Sequence, residues 1–403
     1  MNERELADRL QWKKAAEVDL LSVLQSHFGS AQSSDERVVE YVKDGVVALT
    51  LRTDSRFRPR SLEPGPGLAT EDVEALAASL TNTRKVSSTR VLRRVLYSTV
   101  PVDGYWTYDG PLGAFTLRPV PPGAPTVDTL VGDHPLVLEF EVALCGESFV
   151  DSSRIERTYR NLAWLLAGLV RHVHVPTLFL RKEWVLLSQE DDPASLYTRY
   201  GQVGYWAPGD ADTAIPGVGS RFLSTDGLPP IVETPWDEYS VRRGIRTDDP
   251  MDLPANLRDS LDHVARVDDE TRQQVLRACF WLEHAHRTWG YSHSASFAAY
   301  AQAIEAMLPP AKSETCGTCM VAHDTPSLTS RFDEWVRSFV PDSDASKDLY
   351  VLRSKLVHGQ VLLSTDIDLL MGMSPRANSE RARHDRVSIA ARVGFTNWLT
   401  DRS

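Results

Sequence analysis

A run of turn-forming residues separates two regions of different periodicity, and it limits what this chain can fold into more than any other feature. Residues 207 to 255 carry Ala207-Pro-Gly-Asp-Ala-Asp, then Leu228-Pro-Pro, then Thr247-Asp-Asp-Pro. Proline and glycine in such density interrupt long helices and central strands. The run reads as a connector, ordered in part by Trp236 and Tyr239. It divides the 403 residues into an N-terminal domain, 1–206, and a C-terminal domain, 256–403. Two domains also suit this length at ~100–200 residues each.

The N-terminal part reads as α+β. Leu6, Leu10, Leu21, Leu24 and Phe28 fall roughly on one face of an opening helix. Val46 to Leu51 reads as a strand entered through the turn residues Asp44 and Gly45. Thr70 is expected to cap a short helix through Leu80. Residues 91 to 149 are β-rich, Arg157 to His172 reads as a helix, and Thr177 to Leu187 as a strand. No Walker loop, Gly-rich dinucleotide turn or HExxH occurs. A sensing or regulatory role is the expectation for 1–206.

The C-terminal part is periodic in a different way, with five amphipathic segments that predict an all-α helical bundle. Asp268, Asp269 and Glu270 open the first, whose inner face carries Val275, Cys279 and Leu282. The second carries Phe297, Ala301, Ile304 and Leu308 and stops at Pro309-Pro310. The third is expected to start on a capping box of Ser330 and Asp333, with Phe332, Trp335, Val336 and Phe339 inward. The fourth carries Leu349, Leu352 and Leu356 and ends at Gly359, and the fifth carries Val387, Ala391, Gly394 and Trp398.

Composition narrows the class. Hydrophobic residues are 42% and charged residues 25%, as in ordinary globular proteins. No apolar run approaches the ~20 residues of a membrane span, and Met1-Asn-Glu-Arg-Glu-Leu is not an apolar leader. Four cysteines are too few for a disulfide scaffold, so a reducing, cytoplasmic setting is expected. A net charge of −11 excludes a broadly basic nucleic-acid coat. The charge is uneven: residues 256–403 sum to −2 and residues 1–255 to −9. A local RNA site is therefore permitted in the C-terminal half.

The string Leu349-Tyr-Val-Leu-Arg353-Ser-Lys-Leu-Val-His358-Gly359 carries the chemistry. Histidine titrates near neutral pH and can take or give a proton. Arginine stays charged and grips phosphate with a planar fork. At ~100° per residue, Arg353 and His358 stand about 140° apart on a straight helix. They can act together only where the helix ends, and Gly359 supplies that end. The alternative stays open: Arg353 pairs with a carboxylate and His358 caps the helix C-terminus.

Arg, four residues, then His on a late helix of a small bundle resembles the motif of HEPN domains. The longer string, Arg331-Phe-Asp-Glu-Trp and the Ala-Ile-Glu-Ala around Glu305 are similar to the ApeA-like branch. The resemblance covers residues 256 to 403 and nothing before them. It implies a HEPN-like bundle and metal-independent RNA cleavage through the ribose 2′-hydroxyl, with two motifs meeting in a homodimer. It also implies a toxin-like effector of anti-phage defence. Arg353 would hold the phosphate and His358 would move the proton. The alternatives are a non-catalytic HEPN dimer that binds RNA or nucleotide, and a zinc-dependent interaction protein.

Supporting candidates lie nearby. Glu305 could orient Arg353 or His358, whereas Glu283 reads as a solvated surface charge. Ser354 and Lys355 sit inside the motif, and Arg381, Arg383 and Arg386 are candidates for RNA contact, though a solvated helix face is the commoner explanation of such a cluster. Cys316-Gly-Thr-Cys319 with His323 is half of a zinc-knuckle spacing and would hold a structural zinc if Cys279, His284, His286 or a partner chain completed it. Catalysis through Arg353 and His358 calls for no cofactor. His172 and His174 are expected to be structural. The trigger and the RNA target are not legible.

Overall fold

The computed structural model describes residues 1–55, 58–120, 134–175, 184–187, 203–206, 218–241, 249–308, 313–315, 322–324, 326–340, 346–367 and 375–400. The chain forms two compact units, neither continuous in sequence. One comprises Met1–Leu92, Phe140–Arg160 and Val218–Phe222, the other Arg93–Glu139, Asn161–Gly217 and Leu223–Ser403. These are not the sequential blocks 1–206, 207–255 and 256–403. A strand or helix joins whichever core its apolar face can be buried in, and the chain crosses several times to satisfy that.

In the first unit, α1 (Glu3–Leu10) and α2 (Glu17–Phe28) replace the single opening helix that the leucine pattern suggests. Gln11 takes a left-handed conformation, φ 47°, and a 3₁₀ turn at Trp12–Lys14 follows. β1 (Gln32–Asp35), β2 (Val38–Lys43), β3 (Val46–Thr53) and β4 (Pro59–Pro64) make an antiparallel sheet in that order. Asp44 and Gly45, φ 51° and 78°, form the two-residue turn between β2 and β3, a geometry matched to strand twist. α3 (Thr70–Asn82) packs Val73, Leu76 and Leu80 into one core with Leu6, Leu10, Leu24, Leu49 and Leu62. Thr70 is not its cap. Asp72 reaches back to accept from the Ala69 N–H at 3.1 Å, and also binds Lys43 at 2.6 Å and His27 at 3.1 Å.

β5 (Ser88–Ser98), β6 (Trp106–Tyr108), β7 (Phe115–Pro119), β8 (His134–Leu144), β9 (Val173–His174) and β12 (Val218–Gly219) form a six-stranded sheet. Its order is β12-β5-β8-β7-β6, with β9 beside β5. The β-rich character of 91–149 is thus present. α4 (Ser148–Leu169) begins earlier and ends sooner than Arg157–His172. Of the strand expected over Thr177–Leu187, the described part is β10 (Trp184–Leu187), parallel to β11 (Val203–Trp206). Residues 176–183 lie outside the described residues.

The second unit also takes in part of the connector. β13 (Val232–Thr234) pairs in parallel with β14 (Asp252–Pro254), and α5 (Trp236–Val241) lies between them in sequence. Tyr239 is buried there, its hydroxyl accepting from the Arg171 N–H at 2.8 Å.

The later helical region consists of α6 (Leu257–Arg266), α7 (Asp269–Thr288), α8 (His293–Met307), α9 (Leu328–Phe339), α10 (Ser346–Val357), α11 (Ser364–Ile367) and α12 (Pro375–Thr400). α6 and α11 are additional to the five expected. α6 buries Leu257, Leu261 and Val264. Asp268, Ser292 and Ser327 cap α7, α8 and α9 through side-chain oxygens. The capping box at Ser330 and Asp333 is therefore displaced: Ser330 donates its N–H to Ser327, and Asp333 is buried. Phe297, Ile304, Met307, Phe332, Val387 and Phe395 are among the buried apolar residues of this region. No helix among the described residues is long and apolar enough to cross a membrane.

Candidate functional site

The end of α10 is tightly specified. The His358 N–H donates to Ser354 O at 3.0 Å, Gly359 N–H to Leu356 O at 3.0 Å, and Gln360 N–H to Lys355 O at 2.8 Å. Gly359 has φ 67°. These bonds form a Schellman stop, in which a left-handed glycine satisfies the last carbonyls. His358 is consequently the final residue before the chain turns away, and it is exposed.

Arg353 lies one turn and a half back, on a different side. Its Nη2 donates to Glu305 Oε2 at 2.6 Å, with side chains only 15% and 13% exposed. α8 places Glu305 there because the neighbouring Ile304 and Met307 are wholly buried and turn this stretch inward. The Arg353 guanidinium stands 5.9 Å from the Tyr350 ring, which packs edge-on to Phe332 at 5.4 Å. Burial pushes the Glu305 carboxyl above its ordinary range, and the Arg353 charge and hydrogen bond oppose the shift. Glu305 Oε1 and Arg353 Nε are buried with no hydrogen-bond partner among the described residues.

No hydrogen bond joins Arg353 to His358 among the described residues, as their angular separation requires. Val351, Val357 and Leu362 are each about half exposed and flank the histidine in sequence. Beyond Gly359 the chain is pinned again. Leu363 N–H donates to Ser294 Oγ at 2.8 Å, Glu380 accepts from Ser364, and Asp366 accepts from Ser292 Oγ, His293 N and Ser294 N within 2.9 Å. Burial would raise the Asp366 pKa, but these bonds outweigh it and the net shift is downward.

The remaining candidates scatter. Ser354 is half-buried and Lys355 exposed. Arg381 is exposed on α12, and Arg383 and Arg386 are half-buried there, with no hydrogen bond or ion pair to Arg353 or His358. His323 lies in β16 (Ala322–Asp324), its backbone paired with Glu314 of β15 (Ser313–Thr315). Cys316 and Cys319 fall outside the described residues. Among the described residues no group of histidine, cysteine or acidic side chains is placed to hold a metal. Cys279 is fully buried, which pushes its thiol pKa up, and burial pushes His286 well below its usual value.

Glu283 is corrected outright: it is 2% exposed, paired with Arg287 and 3.6 Å from His174 Nδ1. The i,i+4 spacing to Arg287 on the same helix marks the ion pair but not its burial. His172 and His174 are buried. His172 Nδ1 meets Thr99 Oγ1 at 3.1 Å, and His174 stacks on Tyr97.

No family model, curated protein or solved structure matches this chain.

Proposed function

We propose that the chain is a cytoplasmic endoribonuclease of the HEPN type, close to the ApeA-like branch, acting as a toxin-like effector in anti-phage defence. The observation that carries this reading is the α10 terminus. A part-buried glutamate holds the arginine of the Arg-x4-His string, and a glycine stop leaves the histidine exposed at the helix end. His358 then takes the 2′-hydroxyl proton or protonates the leaving 5′-oxygen. Arg353 stabilises charge on the non-bridging oxygens. Two copies of the motif meet across a twofold axis, where the half-exposed Val351, Val357 and Leu362 around His358 would be covered.

The test is cleavage of total RNA by purified protein in EDTA, wild type against His358→Ala, with light scattering on the same samples. The reading expects cutting by the wild type alone, 2′,3′-cyclic phosphate ends, and a dimer. Cleavage at the wild-type rate by folded His358→Ala protein refutes it.

A second reading, a HEPN dimer that binds RNA or nucleotide without cutting, is favoured by one observation: Arg353 is already engaged by Glu305. RNA bound but left intact under those conditions would select it.

A further inference from the structure

α4 and α7 build an aromatic surface that the chemistry above does not use. The two helices meet at Gly168, where an added Cβ would lie 2.5 Å from Cys279 Sγ. Only glycine allows so close an approach. One turn earlier on α4, Trp164 meets Phe280 edge-on with centroids 5.0 Å apart. Phe280 is also 5.1 Å from Trp281 and parallel to His284 within 2°, at 6.0 Å. Phe280 is 38% exposed, and the other three rings are half-buried.

The charge around these rings is selective. From Thr271 to Leu282, α7 carries Arg272 and Arg277 and no carboxylate, in a chain whose net charge is −11. Arg272 is bound to the carbonyls of Val264, Ala265 and Val267, which leaves Arg277 as the exposed cation of this stretch. The next carboxylate, Glu283, is buried with Arg287. Aromatic rings on a helical stretch that carries an exposed cation and no carboxylate of its own match a polyanion that presents flat bases. Single strands do so, and duplexes hide theirs.

We propose that Trp164, Phe280, Trp281 and His284 form a stacking platform for single-stranded RNA, with Arg277 on a phosphate. The proposal rests on the ribonuclease reading and adds where the substrate strand lies. Binding is measured by fluorescence anisotropy of a labelled oligouridylate on full-length His358→Ala protein, which leaves the probe uncut. Adding Phe280→Ala should weaken binding roughly tenfold, and Phe280→Tyr should restore it. Adding Arg277→Ala should flatten the slope of log affinity against log salt by about 0.7.

Unchanged affinity and salt slope in all three variants would overturn the platform, as expected if a protein partner used this surface instead. In that case loss of cleavage in His358→Ala would still uphold the nuclease reading. No oligouridylate binding by the parent protein would overturn both. If Phe280→Ala misfolds by circular dichroism, Arg277→Ala, at an exposed position, still decides.

Discussion

Replacing Arg353 by alanine strips the cation from Glu305, a carboxylate whose side chain is 13% exposed and whose Oε1 has no hydrogen-bond partner among the described residues. A hydrogen bond between charged groups contributes about 1.5–3 kcal/mol, and removing one side of a buried pair costs about 3–5 kcal/mol. Both side chains keep some solvent contact, so the expected loss at neutral pH is about 2 kcal/mol. The loss also depends on pH. Burial holds the Glu305 carboxyl above its ordinary pKa, and Arg353 pulls it back. A carboxyl with a raised folded pKa binds its proton more tightly in the folded state. Its folded state therefore gains as pH falls through the window between unfolded and folded values, and loses as pH rises through it. Without Arg353 that window extends upward. Urea unfolding should show the variant most destabilised near about pH 8 and much less so near about pH 5. A cycle with Glu305→Gln should give a coupling of at least ~0.5 kcal/mol. A loss independent of pH, or additive with Glu305→Gln, would refute the idea that this glutamate holds the arginine.

Three further perturbations test the surrounding structure. His358→Ala should stay within about 1 kcal/mol of wild-type stability by urea titration, since it truncates an exposed helix end, while the cleavage rate falls ~10²–10⁴-fold. Gly359→Ala should cost about 1 kcal/mol by thermal melting, because φ 67° is a left-handed conformation while an added methyl meets nothing within 4 Å; an unchanged melting temperature would remove the helix-stop role. Asp72→Asn should cost about 1 kcal/mol or more at neutral pH. The Lys43 hydrogen bond, with those from Ala69 and His27, holds the Asp72 pKa down to about 2. Its contribution is present above the ordinary carboxyl value and lost as pH falls toward the folded one, so acid titration of stability should bring variant and wild type together.

The helices at 269–288, 293–307, 328–339, 346–357 and 375–400 were legible because each repeats its apolar residues at helical spacing. The Asp44-Gly45 turn and the Gly359 stop were legible because they depend on residues within a few positions. Reading failed where neighbours in space decided. The opening leucines look like one helix, yet Gln11 breaks the run so that both halves can pack in one core. Glu283 looks like a surface charge on α7, and only the approach of β9, with His174 Nδ1 3.6 Å away, makes it a buried partner. The aromatic surface needed Gly168 of α4 to meet Cys279 of α7, a contact across more than a hundred residues.

The sequence by itself therefore determined the α+β and helical character of the two halves, the helix end at Gly359 and the Arg353–His358 spacing. All of these are set by backbone preferences and periodicities acting over one or two turns. The tertiary structure alone decided that Arg353 meets Glu305, that Glu283 is buried, and that the compact units interleave along the chain. Burial of apolar area is non-directional and does not depend on distance along the chain, so no local pattern encodes which distant face completes a core.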